Sequence, residues 1–156
     1  MYAQHSAAGR PVSPSVPALA QRERELGFDR IDGYSAFAPR AMETKWRLLE
    51  FLISCRRDGR RVVGYGAPGK GNTLLNYCGI RTDLLEFTVD RNPYKQGQFL
   101  PGTRIPIHEP EQLERSQPDF VLILPWNLSD EIVAQLAHLR DQGVRFVVPI
   151  PEVRVV

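Results

Sequence analysis

The stretch Arg61-Val62-Val63-Gly64-Tyr65-Gly66-Ala67-Pro68-Gly69-Lys70-Gly71-Asn72 decides the fold. Gly64, Gly66 and Gly69 fit the pattern Gly-x-Gly-x-x-Gly. The pattern is weak alone and gains meaning only between a strand and a helix. Both flanks qualify. Residues 61–65 are a short β-rich run, and Leu74, Leu75, Tyr77 and Cys78 follow at helical spacing, with Gly79 as a stop. Gly66 lets backbone approach a diphosphate, and the first amides of the helix carry partial positive charge toward an anion. A lysine at that end is unfavourable for the helix itself. Lys70 therefore makes sense beside a bound anion, the alternative being a tight strand-helix turn with a solvated lysine. From this loop the candidate ligand residues are Gly64, Tyr65, Gly66, Ala67, Gly69, Lys70, Gly71 and Asn72.

Outward from the loop, apolar strand-like runs alternate with helical ones. Leu84–Val89 is a predicted strand ending at Asp90, and Thr103–Ile107 is a short one. Pro110 opens a brief helix to about Arg115, and Asp119–Leu124 is an apolar strand ending at Pro125. Ser129 is the expected cap of a helix burying Ile132, Val133, Leu136 and Leu139 and stopping at Gly143, and Arg145–Ile150 is the last strand. Strands that are apolar throughout are buried on both faces, as in parallel sheets covered by helices. The expected fold is α/β: a single Rossmann-like domain with a mostly parallel five-stranded sheet in the order 3-2-1-4-5. Helices cover both faces, and an N-terminal helix precedes it.

Two further clusters fall on the edge where such sheets bind ligands. Asp90 lies 21 residues past Gly69. It can accept from a ribose hydroxyl, as in dinucleotide sites, or it can serve the turn Asp90-Arg91-Asn92-Pro93. Asn92, Tyr94, Lys95 and Gln96 follow it, and Trp126 and Asn127 follow the fourth strand. Trp126 can stack on a base or sugar or cover a helix start; Asn127 can read a hydroxyl or cap. The ligand role is favoured for both, and Asn92 and Lys95 join the candidates.

Upstream, residues 1–20 are rich in Ala, Ser and Pro, and Pro11, Pro14 and Pro17 argue against helix or sheet, so a flexible tail or linker is expected. Residues 21–60 hold a linker and an amphipathic helix over 39–58, with Pro39 in its first turn. Met42, Trp46, Leu49 and Ile53 form one apolar stripe on it, either core or a docking face for another domain. Residues 61–156 form the ligand-binding domain.

A net charge of +2 on 156 residues offers no strong field to nucleic acid or acidic membranes. Residues 1–80 carry twelve Lys/Arg against seven Asp/Glu, and the remainder eight against eleven, a mild asymmetry. Cys55 and Cys78 show no metal or disulfide spacing, so buried reduced thiols are expected. No apolar run approaches a membrane span and no leader peptide is evident, which makes the cytoplasm the default location. Of the histidines, His5 is in the tail, His138 is in a helix beside apolar positions, and only His108 is near the ligand edge. No catalytic constellation and no metal site emerges: the chain presents a binding site without evident catalytic apparatus.

Four ordered segments carry a resemblance. They are Val63–Ile80, Val89–Gly97, Leu100–Thr103 with Ile105–Ile107, and Leu122–Asn127. They resemble the C-terminal domain of S-adenosylmethionine-dependent sugar C-methyltransferases from about residue 34 onward. The resemblance implies a nucleotide-diphosphate deoxysugar as ligand rather than a dinucleotide, with Lys70 and the loop amides facing the diphosphate or sugar. It also implies a reaction, methylation of a sugar carbon beside a ketone through an enolate. S-adenosylmethionine, the zinc module and the catalytic base belong to preceding domains, which these residues do not include. The methyltransferase domain would then act in cis or in trans, and the chain alone is expected to be inactive. An NAD-binding oxidoreductase or sensor domain and a non-catalytic interaction module are the alternatives.

Overall fold

Val62–Tyr65 forms β1, a strand with all four residues buried. Such a strand must pair on both sides and be covered on both faces, and it does. In the computed structural model, which describes residues 4–9 and 11–156, β1 is parallel to β2 (Thr88–Val89) on one side and to β4 (Phe120–Ile123) on the other. β3 (Ile107–His108) extends the sheet beyond β2, and β5 (Arg145–Val148) extends it beyond β4. The order 3-2-1-4-5 is the one expected. A sixth strand, β6 (Arg154–Val155), adds to β5 antiparallel; the sequence reading missed it because two exposed residues carry no period. The fold class is Rossmann-like α/β.

The chain divides into two compact units, residues 1–40 and 41–156. In the first, the proline-rich start does not exclude helix as expected. α1 spans Ser15–Glu25, with Pro17 inside its first turn, where a missing N–H is harmless. A 3-10 turn at Ile31–Tyr34 follows, and Phe28 stacks on Tyr34 with ring centroids 5.8 Å apart.

α2 spans Phe37–Arg57 and crosses the division. Its buried residues are Leu48, Leu52 and Cys55. The expected stripe is therefore out of phase with the core: Met42, Trp46 and Ile53 are exposed, and Leu49 is only partly buried. On one face of the sheet, α2 and α3 (Gly69–Cys78) supply Leu48, Leu52, Leu74, Leu75 and Cys78 to a core with Leu122 and Val147. On the other face, Leu113 from α4 (Gln112–Ser116) and Ile132 from α5 (Ser129–Gln135) pack with Val63, Tyr65, Val121, Ile123 and Phe146. Burying each such side chain contributes roughly 1.5–3 kcal/mol.

Several boundaries differ from expectation. The helix from Ser129 stops at Gln135 and a 3-10 stretch, Ala137–Gln142, carries the chain to Gly143, and the last strand ends at Val148. Leu84 closes a turn and Leu85–Phe87 run irregularly into β2, so that strand is only two residues long. The third strand starts late because Gly102 and Arg104 adopt positive φ in a turn and Pro106 has no N–H to give a ladder. Ser129 is the first residue of α5 rather than its cap, and its hydroxyl meets Asp130 Oδ1 at 3.4 Å. Among the described residues, no helix is long and apolar enough to cross a membrane.

Cys55 and Cys78 are buried free thiols. Burial pushes the Cys78 thiol up to about 11 and raises that of Cys55. A thiol raised in the folded state contributes stability that is complete below its unfolded value and is lost as pH rises toward the folded one. Melting temperature is therefore expected to fall between about pH 9 and 11 by more in the native chain than in Cys78→Ala. At pH 8 a thiol-reactive dye should label the native protein slowly and the denatured protein at both cysteines.

Candidate functional site

The candidate edge lies where the chain reverses its winding. From β1 the connection runs to β2 on one side; the crossover from β3 brings β4 to the other side. The segments after β1 and β4 leave the sheet side by side at its carboxyl edge, the place where open α/β sheets take ligands. Those segments are the glycine loop and Pro125-Trp126-Asn127.

Three of the four glycines each have a separate steric reason. A Cβ on Gly64 would lie 2.7 Å from Thr88 Oγ1. Gly66 has φ +85°, and its Cβ would lie 2.7 Å from Pro125. Gly71, not Gly69, is the glycine required by helix-sheet packing, since a Cβ there would lie 2.8 Å from Leu124 Cβ. At Gly69 nothing lies within 4 Å and φ is not positive. The protein itself therefore places no demand for glycine at 69, and the space there opens outward.

The loop backbone is tied inward. Thr88 Oγ1 donates to Gly66 O at 2.7 Å, and Gly66 N–H donates to Val89 O at 2.6 Å. Ala67 N–H donates to Asp90 Oδ2 at 2.7 Å, and Lys95 Nζ donates to Ala67 O at 3.0 Å. With these groups engaged, the first helical bond is Asn72 N–H to Pro68 O at 3.0 Å. The amides of Gly69, Lys70 and Gly71 precede it and have no intrahelical acceptor, and no side chain caps this helix. Lys70 stands at the same end. Its Nζ lies 4.7 Å from the centroid of the Trp126 ring and donates to Asn127 Oδ1. The Trp126 ring packs against the cores of both faces.

The candidates separate into groups. Lys70, Trp126 and Asn127 meet at this edge, with exposed Gly69 beside Lys70; Gly66 and Gly71 are buried against Pro125 and Leu124, and Ala67 has its N–H and O bonded inward. Tyr65 does not: its ring is in the core at 6% exposure, and burial raises its phenol, so it stays neutral. Gly64 is sealed in β1. Asn72 turns its side-chain oxygen to Asn76 Nδ2 at 3.3 Å. Asp90 is a tether. Its Oδ2 takes Ala67 N–H and Lys95 Nζ (3.2 Å), and its Oδ1 takes Asn92 N–H at 2.8 Å. That leaves one of about four acceptor positions on a side chain 14% exposed. Asn92 closes a turn by accepting Tyr94 N–H at 3.0 Å. Thr88 and Gln96, whose Nε2 donates to Asp90 O at 2.9 Å, complete the scaffold. Thr88 escaped the sequence reading, although a hydroxyl inside an otherwise apolar buried strand was its signal. His108 packs edge-on against Phe87 at 5.2 Å, and His138 pairs with Glu114 at 3.2 Å.

The fold and site define a Rossmann-like domain with a glycine-rich loop at its switch point. The family described as C-methyltransferase C-terminal domain matches residues 1–151, and the chain belongs to it. It is 39% identical over 156 residues to the C-methyltransferase NovU of Streptomyces niveus. The match covers all of this chain and 37% of that protein. Among solved structures, UDP-D-quinovosamine 4-dehydrogenase from Vibrio fischeri overlaps 62% of this chain and 93% of its own, at 19% identity and a TM-score of 0.45.

Gly71→Ala should destabilise the domain by about 1–3 kcal/mol, because Leu124 and the helix cannot part without strain. Gly69→Ala should change stability by less than about 1 kcal/mol. Urea denaturation of both variants checks the contrast. Asp90→Asn keeps one acceptor oxygen, so it strips the acceptor from either Ala67 or Asn92 and removes the countercharge of Lys95, and a loss of about 1–3 kcal/mol is expected in the same assay.

Proposed function

We propose that this chain binds a nucleotide-diphosphate deoxysugar at the sheet edge between the glycine loop and Trp126-Asn127. It then acts with a methyl-donor domain, in cis or in trans, in deoxysugar C-methylation in the cytoplasm. The observation that carries this reading is the direction of the loop backbone. Its carbonyls are held inward by Thr88 and Lys95, and the uncapped amides at Gly69–Gly71 stand with Lys70 at the start of α3. A diphosphate is the ligand group such amides and a lysine stabilise best. Displacing Lys70 from Asn127 onto a phosphate would free Asn127 and the Trp126 face for the sugar or base.

A dinucleotide fits less well. Its ribose needs the acid after the second strand, and here Asp90 already serves Ala67, Asn92 and Lys95. The same occupancy disfavours the ribose of S-adenosylmethionine, so that donor is assigned to the other part of the enzyme. Family membership and the likeness to a C-methyltransferase support a methyl-transfer setting. The chain spans 37% of that relative, and the chain alone is expected to carry no transferase activity.

A thymidine-diphosphate 4-keto deoxysugar at 100 times its Kd should raise the melting temperature by roughly 5–10 °C. Lys70→Ala should keep the fold and weaken binding about ten- to hundredfold, the cost of one charge-assisted contact. No shift with any nucleotide sugar would overturn the proposal. A shift with NAD that disappears in Asp90→Ala would replace it with the dinucleotide reading.

A further inference from the structure

We infer that the exposed stripe of α2, built from Met42, Trp46 and Ile53 with Leu49 at its margin, is the surface on which the methyl-donor part of the enzyme docks. These residues recur at steps of four, three and four, so they share one line along the helix. The line lies roughly a third of a turn from Leu48, Leu52 and Cys55, which face the core. Met42, Trp46 and Ile53 are 42%, 58% and 37% exposed. Tyr77 of α3 is also exposed, at 46%, and Lys45 Nζ of α2 lies 5.4 Å over its ring. Single exposed apolar residues need no explanation; here three share one line on a rigid helix, with Leu49 at its margin.

Size selects the occupant. The stripe from Met42 to Ile53 is about 16 Å long and about 10 Å wide. It is several-fold short of the roughly 800 Å² per partner that a stable dimer buries. A second copy of this chain is therefore a poor occupant. A domain held nearby by a covalent link needs far less, because its effective concentration is in the millimolar range. The relative at 39% identity is such a protein: this chain covers 37% of it, and the larger part lies outside the match. The family is a C-terminal domain, so in such a protein the rest of the chain precedes it. α2 is the first helix of the sheet-bearing unit and the part of that unit nearest to such a segment in sequence. The inference rests on the reading of the chain as one part of a two-part enzyme.

Hydroxyl-radical footprinting tests it, since methionine and tryptophan are readily oxidised and can be read residue by residue. The chain is compared alone and fused behind the remainder of the Streptomyces niveus relative, in place of that protein's matched segment. Oxidation of Met42 and Trp46 should be at least threefold slower in the fusion. Equal rates in a fusion that still gains melting temperature with the nucleotide sugar overturn the inference. So does slow oxidation in the chain alone, which would mean that the chain covers its own stripe. A separate variant needs no fusion. Met42→Ser, Trp46→Ser and Ile53→Ser together should leave the melting temperature of the chain alone within about 2 °C; a larger drop returns the stripe to the core and overturns the inference. A dimer in sedimentation that this variant abolishes gives the face to a second copy and overturns it too. Nucleotide-sugar binding by the chain alone tests the functional reading without touching α2, so the two can fail separately.

Discussion

The hydroxyl of Thr88 on the carbonyl of Gly66 is the contact on which the site depends. Thr88 is fully buried, and its Oγ1 needs an acceptor. It finds one 2.7 Å away in the loop leaving β1. That approach is possible only because residue 64 has no Cβ, which would stand 2.7 Å from the same oxygen. Gly64 therefore works for the loop without touching a ligand. Once Gly66 O is turned inward, the chain runs on through Ala67, whose N–H and O are taken by Asp90 and Lys95. The first amides of α3 are then the next backbone donors, and no side chain caps them. One buried hydroxyl thus links the packing of two parallel strands to the start of α3.

The parallel order 3-2-1-4-5 was legible because its signal is redundant. The central strands are mostly apolar, helical stretches lie between β1 and β2, β3 and β4, and β4 and β5, and the glycine pattern falls between a strand and a helix. The edges were less legible. β6 has two exposed residues, and β3 is shifted by a turn whose geometry depends on Gly102 and Arg104. α1 was hidden by counting prolines without asking where in a helix they stand; Pro17 lies in the first turn, where it costs little.

The phase of α2 was misjudged for a different reason. Two apolar lines run along this helix, Met42-Trp46-Leu49-Ile53 and Leu48-Leu52-Cys55, and periodicity gives both the same score. The sequence reading named only the first line and left it between core and docking face. The line that is buried is the second, which packs with Leu74, Leu75, Leu122 and Val147. A helix with one line too many for its own domain carries information that no count of hydrophobic residues separates from core packing.

The role of Asp90 is the sharpest case of a site that sequence leaves undecided. Its spacing from the loop is right for a ribose acceptor, and its neighbours are right for a turn. Both readings predict the same residue type at the same place. Only its partners separate them, and all three are groups of the protein: two amides and an ammonium. A carboxylate so engaged stabilises the loop whether or not a ligand is present, and three of its about four acceptor positions are taken by the protein. The consequence reaches the start of α3. With the carboxylate and the Ala67 backbone turned on each other, the donors left beyond them are the uncapped first amides of the helix, beside a lysine that Asn127 and Trp126 hold in place.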